Sequence, residues 1–192
     1  MKAFYYFTEQ LIRKDCIPEE DRDIYIYGFD ITIYTIWSTA LLLLIGLLLR
    51  QFIPTAILVF GFYTFQTNGG GYHAKTHLRC FLTMSVGLLA GLSIVFIKDY
   101  ILLWTLLGIG SLLLLLFPLV LHPNKAYLEP ERKHLSSRSV IVTLSIGALA
   151  IIINVFRNEF LYAFSAAFLL AGISRIAGKT AYRNSYPTED EC

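Results

Sequence analysis

The pair of residues in this sequence best suited to chemistry is His73 and Cys80, seven positions apart. They lie in the run Asn68-Gly69-Gly70-Gly71-Tyr72-His73-Ala74-Lys75-Thr76-His77-Leu78-Arg79-Cys80. A thiol titrates near pH 8.5, so a nucleophilic cysteine at neutral pH needs a base or a positive environment to raise its thiolate fraction. A cysteine in the first turn of a helix gains this from the backbone amides there, and Arg79 adds positive potential. Spacing alone favours His77 as the base. On an unbroken helix His73 and Cys80 share a face but stand about 10 Å apart along the axis. His77, three residues before Cys80, would be its natural neighbour. If His73 is the base, the chain between it and Cys80 cannot be one regular helix. The same side chains also admit a metal reading, because His73, His77 and Cys80 share a helical face. The familiar zinc-protease pattern H-E-x-x-H is absent, since Lys75 and Thr76 stand between the histidines. No metal and no cofactor is expected.

Around this pair, three consecutive glycines permit positive φ and close approach of another segment, so a bend is expected there rather than a continued helix. Asp30, at the edge of the first apolar stretch, is a candidate to orient the histidine. Arg175 is expected to snorkel to the membrane interface. Lys125, Arg132, Lys133 and Arg138 read as membrane-surface anchors or as a guide for an acidic substrate segment. Cys16, Cys80 and Cys192 are too few and too irregularly spaced for a disulfide framework, so reduced thiols are expected.

The elements that must position these residues are membrane helices. The chain has 192 residues, 56% hydrophobic and 16% charged, with a mean hydropathy of +0.59. Its apolar residues fall in blocks, and 17–25 residues of helix cross a hydrocarbon layer of roughly 30 Å. The expected fold is an all-α integral membrane protein with six transmembrane helices, at residues 24–49, 52–66, 80–97, 100–121, 139–156 and 160–178. The rest comprises an N-terminal segment 1–23, a catalytic cytoplasmic loop 67–79, a basic cytoplasmic loop 122–138 and a tail 179–192. With this division, thirteen of the sixteen basic residues lie on one side, and only Arg50, Lys98 and Arg157 on the other. The positive-inside rule then makes both termini and the His73–Cys80 loop cytoplasmic. A net charge of +2 gives no case for nucleic acid. Phe4, Phe7 and Leu11 mark a candidate N-terminal interfacial helix, and Pro18 before Glu19, Glu20 and Asp21 reads as a helix start.

The run Gly70-Gly71-Tyr72-His73-Ala74, with Cys80 seven residues beyond the histidine, resembles the accessory gene regulator protein B family. These are bacterial membrane cysteine endopeptidases that process quorum-sensing pro-peptides. Chain length, span count, the basic N-terminal segment and the Pro/Lys-rich loop His122–His134 support the resemblance. It implies Cys80 as nucleophile and His73 as base, with Gly71 a close-approach residue beside Gly70 and with His77 only a neighbour. The implied partners are a short amphipathic precursor with an internal Cys or Ser, membrane lipids and a second copy of the chain as a homodimer. The implied product is a thiolactone peptide, and the implied location is the bacterial cell membrane. Many members carry arginine shortly before the glycines, where this chain has Gln66, Thr67 and Asn68. Two readings of other classes stand beside this one. One is a small transporter or channel with a re-entrant glycine loop. The other is a non-catalytic membrane scaffold.

Overall fold

The computed structural model describes residues 2–14, 16–72, 76–94, 99–120, 128–157 and 160–182, with backbone alone at 2–4, 27, 31 and 77. Among the described residues all regular structure is helical: α1 (Lys2–Arg13), a 3-10 turn (Glu19–Asp21), α2 (Arg22–Leu48), α3 (Phe52–Gly69), α4 (His77–Ser93), α5 (Tyr100–Leu116), α6 (Glu129–Phe156) and α7 (Leu161–Tyr182). Two compact units share the chain, Met1–Leu41 and Leu42–Cys192.

In the first unit, Pro18 adopts extended backbone and opens the 3-10 turn that leads into α2. Glu19, Glu20 and Asp21 sit at this start, where amides lack acceptors and negative charge is favoured. Arg22 bonds Glu19 at 3.1 Å and Glu9 at 2.9 Å, tying α1 to the turn. The Phe7 ring meets Phe29 edge-on at 5.1 Å. Charge pairs this exposed contribute at most about 1 kcal/mol.

The second unit is built around α7, whose residues Leu161 to Phe168 are all buried. Small residues let its neighbours close in. A Cβ on Gly110 of α5 would stand 2.6 Å from the backbone of Phe168 and Leu169, so these two helices meet backbone to backbone. Glycine at such a crossing is how membrane helices gain packing without a hydrophobic drive between them. Phe65 of α3 and Phe168 meet edge-to-face at 4.7 Å, and both are shielded. Two polar groups inside bond across helices: Ser165 Oγ donates to the Leu103 carbonyl at 2.9 Å, and the Tyr162 hydroxyl donates to Gln51 Oε1 at 2.6 Å.

The exterior is apolar. Ile101 and Phe156 are 80% exposed and Val155 75%, an outward surface suited to lipid rather than water. Among the described residues, three helical stretches are long and apolar enough to cross a membrane: Glu19–Leu48, Glu129–Phe156 and Leu161–Tyr182. Leu78–Ser93 and Tyr100–Leu116 are shorter apolar helices. Helix α6 begins at Glu129, so the basic stretch expected as loop 122–138 closes in helix, with Pro130 in the first turn.

The expectation for Arg175 is corrected. It does not snorkel: the residue is 1% exposed and points into the protein. Its Nη1 donates to the carbonyls of Leu114 (2.9 Å) and Phe117 (2.8 Å). Its Nη2 donates to the Phe65 carbonyl (3.3 Å) and to Ser139 Oγ (2.8 Å). The two terminal nitrogens of the fork thus reach carbonyls near the ends of α3 and α5, while Nε is buried with no hydrogen-bond partner. Helix α7 therefore passes through position 175 and continues to Tyr182.

Candidate functional site

Helix α3 ends in the glycine run. Gly70 has φ +69°, and its amide donates to the Gln66 carbonyl at 2.9 Å, closing the last turn. With ψ −170° this is extended backbone at positive φ, a conformation essentially confined to glycine, and it ends the helix here. The neighbouring glycines admit close contacts. A Cβ on Gly69 would collide with the Arg175 guanidinium, and one on Gly71 with the side-chain amide of Gln66. A Cβ on Gly70 would meet the Val120 carbonyl. The segment that approaches is thus the chain itself: residues 117–120 lie across the turn, and the Val120 amide donates to the Gly69 carbonyl at 2.8 Å.

Helix α7 supplies the floor. Gly178 packs against the loop so closely that a Cβ there would stand 2.8 Å from the Gly71 carbonyl carbon and 2.9 Å from the Tyr72 nitrogen. One turn earlier, Ser174 holds the same loop. Its carbonyl and its Oγ both accept from the Tyr72 amide, at 3.0 and 3.1 Å. Its Oγ also accepts from Gln66 Nε2 at 2.6 Å. Buried Gly71 and exposed Tyr72 are therefore held on a defined surface immediately before His73.

The other end of the motif is a helix start. Thr76 has extended backbone, φ −134° and ψ 148°, and its side chain accepts from the Arg79 amide at 3.3 Å. Threonine at this place satisfies one amide of the first turn. Cys80 is the fourth residue of α4, its own amide donating to the Thr76 carbonyl at 3.0 Å. Side chains in a helix lean towards its N-terminus, so the half-buried thiol lies over the first turn. The extended residue at 76 means the chain from 73 to 80 is not one regular helix, which is the condition His73 requires.

His73 itself, with Ala74 and Lys75, lies outside the described residues, and so does the side chain of His77. Among the described residues no three His, Cys, Asp or Glu side chains gather as a metal site. The histidines of the metal reading fall outside that set. Arg79 is exposed on the first turn of α4. Asp30 is half-buried on α2 in the first unit, whereas the loop belongs to the second. Cys16 and Cys80 are thiols; Cys192 and the acidic tail fall beyond residue 182.

Beside the glycine turn, residues Leu116–Val120 form the floor of a cleft of about 500 Å³. Arg132, Lys133, Lys179 and Glu129 line its rim, and Arg132 is ion-paired to Glu129 at 2.6 Å. The Lys179 ammonium lies 4.7 Å from the Phe117 ring centre. The Arg132–Glu129 pair offsets one of the three cations, so the positive character of the rim rests on Lys133 and Lys179.

The sequence marks Gln66 only as a departure from the family's arginine, and it gives no role to Ser174 or to the strap at 117–120. The available signal was polarity: Gln66 and Ser174 are uncharged polar residues within otherwise apolar helices, where such groups find hydrogen-bond partners.

Comparison with known protein families gives one match: the model of the accessory gene regulator B family (AgrB) matches residues 4–175. Comparisons with curated proteins and with solved structures return no match.

Proposed function

This chain belongs to the accessory gene regulator B family, and from that membership we propose that it is a membrane cysteine endopeptidase acting on a short quorum-sensing pro-peptide. The observation that carries the proposal is the family match across residues 4–175, which spans the glycine motif, Cys80 and Arg175. Three features of the site support it. The thiol lies on the first turn of α4, where the helix end favours an anion. The extended backbone at Thr76 lets the chain turn between residues 73 and 80. The cleft with Lys133 and Lys179 on its rim fits an acidic amphipathic segment.

In the proposed reaction, His73 takes the proton of the Cys80 thiol, and the thiolate attacks a backbone carbonyl of the precursor. The C–N bond breaks as the same imidazole returns the proton to the departing amine. The acyl group is left as a thioester on Cys80. A cysteine thiol within the precursor then attacks this thioester, Cys80 leaves as thiolate, and a thiolactone ring closes. Exchange of one thioester for another is nearly neutral apart from ring strain, so the site must keep water from the intermediate. The proposed topology has six spans with both termini and the loop on the cytoplasmic face. The proposed partners are the precursor, membrane lipids and a second copy of the chain.

The test is co-expression of wild type, Cys80→Ala and His73→Ala with the amphipathic precursor encoded beside the gene, followed by mass spectrometry. Wild type alone should shorten the precursor. Equal cleavage by Cys80→Ala removes the protease assignment, and full activity in His73→Ala with loss in His77→Ala transfers the base to His77.

A further inference from the structure

The catalytic proposal concerns residues 73 and 80, yet the best-defined contacts of the motif run to a helix a hundred residues away. Ser174 sits on the face of α7 that carries Gly178 one turn later, and both touch the same short stretch, Gly71–Tyr72. The Ser174 carbonyl and hydroxyl share the Tyr72 amide, and the hydroxyl takes a second bond from Gln66. Gln66 in turn lies against Gly71, where its Oε1 is buried with no hydrogen-bond partner. Tyr72 is the residue immediately before His73, so its amide is the last described anchor of the backbone that presents the imidazole.

We propose that Ser174, with Gln66, is a positioning residue for His73: a clasp on α7 that fixes the loop backbone so that the imidazole reaches the Cys80 thiol. This rests on the catalytic reading above and adds to it a residue outside the motif. The physical reason is reach. Holding the Tyr72 backbone lowers the conformational entropy available at the residue that follows it, which is His73. A hydrogen bond needs the imidazole within about 3 Å of the sulfur, and small displacements at such a site cost large factors in rate. Gly178 serves the same end from below, because any side chain there would lift the loop off Ser174.

The experiment reads the thiol directly and needs no precursor. In full-length protein carrying Cys16→Ser and Cys192→Ser, the rate of Cys80 alkylation by iodoacetamide is measured against pH. With His73 held in place the midpoint should lie below the ordinary thiol value near 8.5. His73→Ala should move it up towards that value. Ser174→Ala should do the same, lowering the rate at pH 7 by about three- to tenfold, since one unit of thiol pKa is tenfold in thiolate. Ser174→Thr, which keeps the hydroxyl, should restore the parent profile. Ser165→Ala removes another buried hydrogen bond of α7, to Leu103, and should leave the profile unmoved. A parent-like profile in Ser174→Ala, with His73→Ala shifted, overturns the clasp and leaves the catalytic reading standing. An unmoved profile in His73→Ala instead overturns the base assignment itself. Should Ser174→Ala not fold, Gly178→Ala crowds the loop without removing a bond, and an unchanged profile there overturns the clasp equally.

Discussion

At the scale of single residues, the site depends on groups that leave room as much as on groups that react. Gly71 has no space for a side chain, because the Gln66 amide occupies it and is itself held by Ser174. Gly71→Ala should therefore lower precursor processing at least tenfold while the protein keeps its thermal stability within a few degrees; wild-type processing by this variant would contradict the packing account. The reactive types were legible in the sequence, since a thiol, two histidines and an arginine within eight positions are unusual beside apolar helices. Spacing alone favours His77, and the break in helix at Thr76, which no periodicity reports, is what keeps His73 open as the base. The clasp was not legible. Gln66 and Ser174 are 108 positions apart, and nothing local to either marks the other.

At the scale of elements, two helix ends define the motif. One is the stop of α3 at Gly70, whose positive φ and extended ψ suit only glycine; the other is the start of α4 at Thr76. Thr76→Ala removes the side-chain acceptor of the Arg79 amide and should cost about 1 kcal/mol of local stability. Hydrogen exchange should speed at Arg79, and Thr76→Ser should restore protection; unaltered exchange in the alanine variant would show that the cap is not what holds the turn. Arg175 belongs to this scale as well. It was read as a snorkelling residue because a lone charge near a span end ordinarily escapes to water. Here the broken ends of α3 and α5 offer carbonyls, and Ser139 on α6 a hydroxyl, so the guanidinium is better satisfied inside. Arg175→Leu should leave these acceptors bare and destabilise the protein by roughly 3 kcal/mol, seen as a lower unfolding midpoint in detergent; an unchanged midpoint would contradict that role.

At the scale of the whole molecule, composition and charge make the all-helical membrane character plain before any coordinates are considered, because apolar blocks of spanning length leave little alternative. Helix ends are less plain: α6 starts at Glu129, since a proline and two acids open a helix well before the apolar run. The proposed sidedness rests on basic residues and is open to direct test at Cys16, an exposed thiol. In a Cys80→Ser, Cys192→Ser background, an impermeant maleimide should label Cys16 in inside-out vesicles and not in right-side-out ones; the reverse pattern would invert the topology. The claim on which the functional account turns is that Cys80 and His73 cut and close a precursor peptide at this loop. Its most direct test is the mass of that precursor after co-expression. With wild type, the account predicts a C-terminally shortened product one water lighter than the linear fragment, and intact precursor with Cys80→Ala or His73→Ala. A cyclised product formed at wild-type yield by Cys80→Ala would contradict it.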